Sequence, residues 1–172
     1  MKAFLTTLLL LLTSSTLLAQ DNKLDDTALT LKSSYKFTYY MFDVYQVELY
    51  LEANSEASDA LTDIPKRLQF RYFRDIPAET LIEKANESLE DIPSFSFDKF
   101  SAELNSLNDA YIDVKEGDRY TMNYTPGIGT DLILNGKKLV TVPGKDFAKF
   151  YFGIWLSKYS FSKDLYKTLT KS

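Results

Sequence analysis

Residues 117–156, GDRYTMNYTPGIGTDLILNGKKLVTVPGKDFAKFYFGIWL, constrain the fold of this chain more than any other stretch. They read as three short strands feeding one strongly apolar helix. Residues 119–124 set Tyr120, Met122 and Tyr124 at period two, the mark of a half-buried strand. Pro126-Gly127 and Gly129 break the chain, and residues 131–134 form the second strand. Asn135-Gly136 is the strongest short hairpin signal, because both central residues of such a turn adopt positive φ. Residues 137–142 return as the third strand, and Pro143-Gly144 stops it. The helix opens with Asp146 in its first turn, where a negative charge suits the helix dipole. Phe147, Phe150, Tyr151, Ile154 and Trp155 share one wide stripe, at i, i+3, i+4, i+7 and i+8. Phe152 and Leu156 lie off that stripe, so the helix must be covered on more than one side. It is expected to be the buried helix of a layer packed on a sheet.

Residues 1–19 stand apart from the fold. Lys2 is their only charged side chain, and an apolar run centred on Leu8–Leu12 leads to Ala19, a small residue suited to cleavage. This pattern predicts a secretory signal peptide, with residues 20–172 as one domain. With no cysteine in the chain, a lipid-modified cysteine is excluded, and export to a periplasm or beyond the cell is expected. The remaining length, about 150 residues, suffices to bury about 70% of the unfolded surface without disulfide staples. The net charge is −4, or −5 once Lys2 is removed, so a nucleic-acid partner is not expected. No stable membrane span is expected after the leader.

Along the rest of the chain, residues 28–32 form a short strand candidate ahead of Ser33-Ser34. Residues 35–52 are the longest strand-like run; at that length it bends, bulges or splits into two strands. Asp43 interrupts its apolar alternation and is expected at such a bend, in solvent, or else buried with a partner. Residues 54–65 are a polar connection with room for one helical turn. Residues 67–74 alternate as a strand, with Leu68, Phe70, Tyr72 and Arg74 on one face and Arg71 on the other. Pro77 starts a helix over 78–89, where its missing N–H does no harm. A second helix is predicted over 97–107 with Phe97, Phe100 and Leu104 inward, then a loop or short strand over 111–116. Ser162 caps a terminal helix over 162–170.

The chemistry available is narrow. With neither cysteine nor histidine there is no thiol–imidazole pair, no Cys/His zinc cluster and no Ser/His/Asp triad. No metal site and no cofactor is expected; haem would have to rely on Tyr or Met as axial ligand. The segment 126–130 lacks a phosphate-loop lysine and reads as a turn. Two features remain. Twelve tyrosines stand beside twelve phenylalanines, and tyrosines on a sheet face either fill a core or line a cavity for an apolar ligand. There are four arginines, Arg67, Arg71, Arg74 and Arg119. An arginine on an apolar face either anchors a carboxylate or phenolate or pairs with a surface acid such as Asp75.

Together, Val44-Tyr45 with Leu49-Tyr50, the run Arg71-Tyr72-Phe73-Arg74-Asp75, Gly117-Asp118, Tyr124-Thr125-Pro126-Gly127, Gly129-Thr130, Asn135-Gly136, Gly144, Phe147 and Ile154-Trp155-Leu156 form a pattern. With it the chain resembles the chalcone isomerase-like family, in particular its exported bacterial members. The resemblance implies an α+β fold, an open-faced β-sandwich with a large antiparallel sheet and a layer of helices. It also implies one of two activities: ring closure of a chalcone, aided by an arginine ahead of the first long strand, or fatty-acid binding without catalysis. Residues 32–36, KSSYK, hold no arginine, Tyr45 stands where the enzymes have a threonine, and no proline follows Trp155-Leu156-Ser157. These departures point away from ring closure. The expected function is a non-catalytic protein binding a hydrophobic small molecule such as a fatty acid, with Tyr45, Arg71, Arg74 and Tyr124 as candidate ligand-binding residues. The alternatives are an isomerase or intramolecular lyase using Tyr45 with Arg71 or Arg74, and a structural or partner-binding protein.

Overall fold

The computed structural model describes residues 29–171. Six antiparallel strands follow one another in chain order as a single meander: β1 (Leu29–Tyr39), β2 (Phe42–Glu52), β3 (Lys66–Tyr72), β4 (Arg119–Thr125), β5 (Gly129–Leu134) and β6 (Lys137–Val142). Four helices complete it: α1 (Ala78–Glu90), α2 (Ser101–Asn108), α3 (Lys145–Leu156) and α4 (Lys163–Leu169). A short 3-10 turn, Ala57–Asp59, lies in the connection after β2. The α+β class and the helix-backed antiparallel sheet follow the expectation. The expected leader, residues 1–19, and the start of the first strand at Ala28 lie outside the described residues.

One sheet face carries the core. Val47, Leu49 and Leu51 of β2, Leu68 and Phe70 of β3, Tyr120 and Met122 of β4 and Leu132 of β5 are all buried there. The strands alternate in burial as a one-sided sheet requires. The layer above it is centred on α3, whose Phe147, Ala148, Tyr151, Phe152, Ile154 and Leu156 are all buried, as a helix apolar almost all round demands. α4 seats on β1, α2 on β6 and α3 on β5, while α1 packs chiefly on α3 rather than on the strands.

Two local expectations, at residues 33–34 and at the start of α2, are corrected, and a third, for the long run, is decided among its alternatives in favour of two strands. Residues 33–34 do not interrupt the first strand; the pairing merely slips between Leu31 and Ser33, and the chain runs on to Tyr39. The long run splits into β1 and β2 about Tyr40-Met41, so Asp43 lies at the hairpin end, exposed and paired with Lys36 at 2.7 Å. α2 begins at Ser101, not near residue 97, and Phe97 is 38% exposed, packed edge-on against Phe95. The turn at Ser94, with φ of 71°, starts an irregular stretch that uses up the first turn of the expected helix. Elsewhere the segment 111–116 contributes a single bridge, Val114 to Ile76, and Ser162 caps α4 by accepting from the Leu165 N–H at 3.3 Å.

Candidate functional site

α1 rests chiefly on α3, and the helix layer stands off the strands at the β1–β3 end. The gap is a cavity of about 630 Å³. Phe37, Tyr45, Phe70 and Tyr72 form its floor, Leu81 and Ala85 of α1 its roof, and Ile154 and Trp155 of α3 its back wall. That volume lies within the range of small-molecule sites. A separate hollow of about 320 Å³ lies near Leu61 and Tyr166, on the α4 side.

The aromatic floor is made by strand register. Tyr45 faces Tyr72 across β2–β3 and Phe37 across β1–β2. It stacks on Phe37 at 5.3 Å and meets Phe70 and Tyr72 edge-on at 5.4 and 6.0 Å. Its hydroxyl accepts from the Trp155 indole N–H at 3.3 Å. The Tyr111 and Tyr151 hydroxyls are 2.8 Å apart and satisfy each other. Tyr72 differs: it is only 6% exposed and lines the cavity, and its hydroxyl has no hydrogen-bond partner among the described residues. Burial raises the pKa of Tyr45, Tyr72, Tyr111 and Tyr151 above the usual phenol value. Each of these tyrosines is therefore a neutral hydroxyl at pH 7, and the two on the cavity floor, Tyr45 and Tyr72, can donate a hydrogen bond to a ligand but not take a proton from one.

The mouth carries charge. β3 ends at Tyr72, so Arg74 lies beyond the strand and not in its apolar row, at the rim of the cavity. Its guanidinium stands 5.7 Å from the Phe42 ring and, among the described residues, has no carboxylate partner. Asp75 is committed elsewhere: it accepts from the Glu116 N–H at 2.9 Å and from Lys115 Nζ at 3.1 Å. Those two partners, the backbone N–H first, hold its pKa below the usual value. Lys84, the other cation of the rim, is bound to Glu87 on its own helix at 2.7 Å.

Of the four candidate residues, the structure brings Tyr45 and Arg74 to this cavity. Arg71 is on the solvent face of the sheet, opposite Arg119, with its guanidinium 5.9 Å from the Phe73 ring. Tyr124 is on β4, opposite Lys66 at the far end of β3. Six residues of strand separate that position from Tyr72, about 20 Å. Its hydroxyl donates to Asp63 Oδ1 at 2.5 Å. Tyr72 and Trp155 escaped selection: the sequence set both on apolar faces, but not under a gap in the helix layer.

The sequence profile of the chalcone isomerase-like family matches residues 15–169. The chain belongs to the chalcone isomerase-like family. Among solved structures, an Arabidopsis thaliana fatty-acid binding protein is similar in fold, with a TM-score of 0.57 at 13% identity. The likeness covers 83% of this chain and 84% of that one. The comparison with curated protein sequences gives no match. In this chalcone isomerase-like chain the segment 32–36 is part of β1, and both of its lysines are engaged. Lys32 donates to the Ala53 carbonyl at 2.8 Å and Lys36 to Asp43 at 2.7 Å. The cation at the cavity mouth comes instead from the turn after β3.

Proposed function

We propose that this protein binds an apolar small molecule with an acidic head, of the fatty-acid class, without transforming it. The observation that carries the reading is the pairing of an aromatic cavity of about 630 Å³ with the uncommitted guanidinium of Arg74 at its rim. An apolar chain buried among Phe37, Phe70 and Leu81 gains about 0.8 kcal/mol per methylene. A carboxylate at the mouth would meet Arg74 in a charge-assisted hydrogen bond. The fatty-acid binding neighbour in the same fold supports the reading. The cavity tyrosines, held neutral, supply hydroxyl contacts rather than a base, which favours holding over catalysis.

Calorimetry with a series of saturated fatty acids tests this. Affinity should climb severalfold per added methylene until the cavity is full, then level off. Arg74→Gln should weaken acids about tenfold while barely changing the matching alcohols. If neither acids nor alcohols bind the unsubstituted chain, the reading falls. The leader pattern extends the proposal to an exported protein acting in a periplasm or outside the cell. Recovery of the protein from its own cells with Met1 still at its N-terminus would remove that part.

A further inference from the structure

The β1–β2 hairpin ends in four large apolar side chains that the described residues leave mostly exposed. Tyr39, Tyr40, Met41 and Phe42 are 59, 77, 95 and 64% exposed, in a protein whose other strands bury their large side chains. The turn itself is conformationally costly. Tyr39 pairs with Phe42, leaving Tyr40 and Met41 as its two central residues, at φ of 45° and 69°. That left-handed pair is the natural place for Asn-Gly, and the β5–β6 hairpin of this same chain has Asn135-Gly136 there. Bulky side chains adopt such angles under strain. The sequence therefore holds a tyrosine and a methionine at an exposed position where the backbone disfavours both; among the described residues Tyr40 meets the Tyr39 ring edge-on at 4.5 Å, while Met41 stays 95% exposed.

We infer that this hairpin tip is a membrane wedge, which seats the cavity mouth on a lipid bilayer. Three observations favour a bilayer over a protein. The tip is convex and four residues long, whereas a stable protein interface takes about 20–30 residues a side. Its chemistry is that of the headgroup boundary, with Tyr39 and Phe42 at its base and Tyr40 and Met41 at its apex. It is also continuous with the mouth: Tyr39 lines the cavity, and the Phe42 ring lies under the Arg74 guanidinium. Phe161, 45% exposed and edge-on to Phe37, extends the apolar rim on the α4 side. Lys36 and Asp43 neutralise each other just behind the tip, so insertion would not drag an unpaired charge into the boundary. The wedge's purpose rests on the reading of the cavity as an apolar-ligand site, since a bilayer is where such a ligand is stored; its geometry does not.

The test uses the chain as its producing cell processes it, with phosphatidylcholine vesicles containing some phosphatidylglycerol. A Tyr40→Trp variant should emit further to the blue on adding vesicles and be quenched when the acyl chains carry bromine. The unsubstituted chain, with Trp155 half-buried, supplies the background. A Tyr40→Asn/Met41→Gly double variant should melt no lower than the parent, because it relieves the turn, yet partition to vesicles at least about tenfold less. Unquenched emission from Tyr40→Trp overturns the wedge, as does a double variant that partitions like the parent. A dimer in sedimentation that the double variant abolishes, with the tip unquenched, overturns it in favour of a second copy of the chain. Fatty-acid binding in vesicle-free buffer separates the two readings. Ligand binding without tip insertion refutes the wedge alone; insertion without ligand binding refutes the cavity reading alone.

Discussion

Among the described residues Lys66 is the one lysine buried in the core, at 2% exposed, and nothing in its sequence context announces it. It opens β3, where period two turns its side chain to the core face. The ammonium donates to the Thr62 carbonyl at 2.7 Å and lies 4.4 Å from the Tyr124 ring centroid. Desolvation nonetheless pulls its pKa down to about 8, only partly offset by Asp63. Folded protein therefore holds fewer protons than unfolded protein between about pH 8 and the ordinary lysine value, and stability should rise with pH across that window. The rise is bounded at about 3 kcal/mol. Lys66→Met should remove it and be as stable as the parent, or more so, at pH 7. Urea unfolding of both proteins between pH 7 and 10 checks this; parallel pH profiles would show that Lys66 is not the source.

The β5–β6 hairpin shows why elements close as they do. Gly129 begins β5 at φ of 136°, and a Cβ there would collide with the Val142 carbonyl of β6. The glycine permits the two backbones to approach at the edge of the sheet. Gly129→Ala should cost well over about 1 kcal/mol, since both the angle and the space forbid the methyl group. A melting temperature within a degree or two of the parent's would contradict it. Gly136, at the tip of the same hairpin, has a positive φ but open space around it, so its alanine variant should suffer from the angle alone and lose less. The β1–β2 hairpin meets the same backbone demand with Tyr40 and Met41. The contrast between the two turns marks out the exposed tip.

At the scale of the molecule, a group of tyrosines, Tyr72, Tyr120, Tyr124 and Tyr151, is buried on the core side. Tyr72 and Tyr151 are raised well above the normal phenol pKa by burial first and neighbouring phenols second. Tyr124 is raised to about 12 by burial and then by Asp63. Raised acids contribute stability that is fully present below about pH 10 and is lost as pH climbs through their folded values. The molecule should therefore pass through a stability maximum between about pH 8 and 10 and unfold cooperatively in stronger alkali, as the buried phenols ionise together. Tyrosinate absorbance followed against unfolding should show one coincident step. Gradual ionisation of these residues within a folded protein would mean that they are less enclosed than the structure has them.

From β3 onward most elements and their order are legible in the sequence, since period-two rows, the Asn135-Gly136 turn, Pro77 and the all-round apolar stripe of α3 are local signals read within a few residues. The sequence also carried the family pattern. Tertiary structure alone decided which end of the sheet the helices leave uncovered, because that depends on α1 leaning on α3 across a long stretch of intervening chain. The same packing sorted residues that sequence could not rank. Tyr45 and Tyr124 each lie on an alternating row, but one faces a gap and the other is sealed under the helix layer. Arg71 and Arg74 are three residues apart, yet a strand that ends at Tyr72 leaves one on the solvent face and swings the other to the cavity mouth. Periodicity assigns a side chain to a face; only the placement of the opposite layer says whether that face is packed or open.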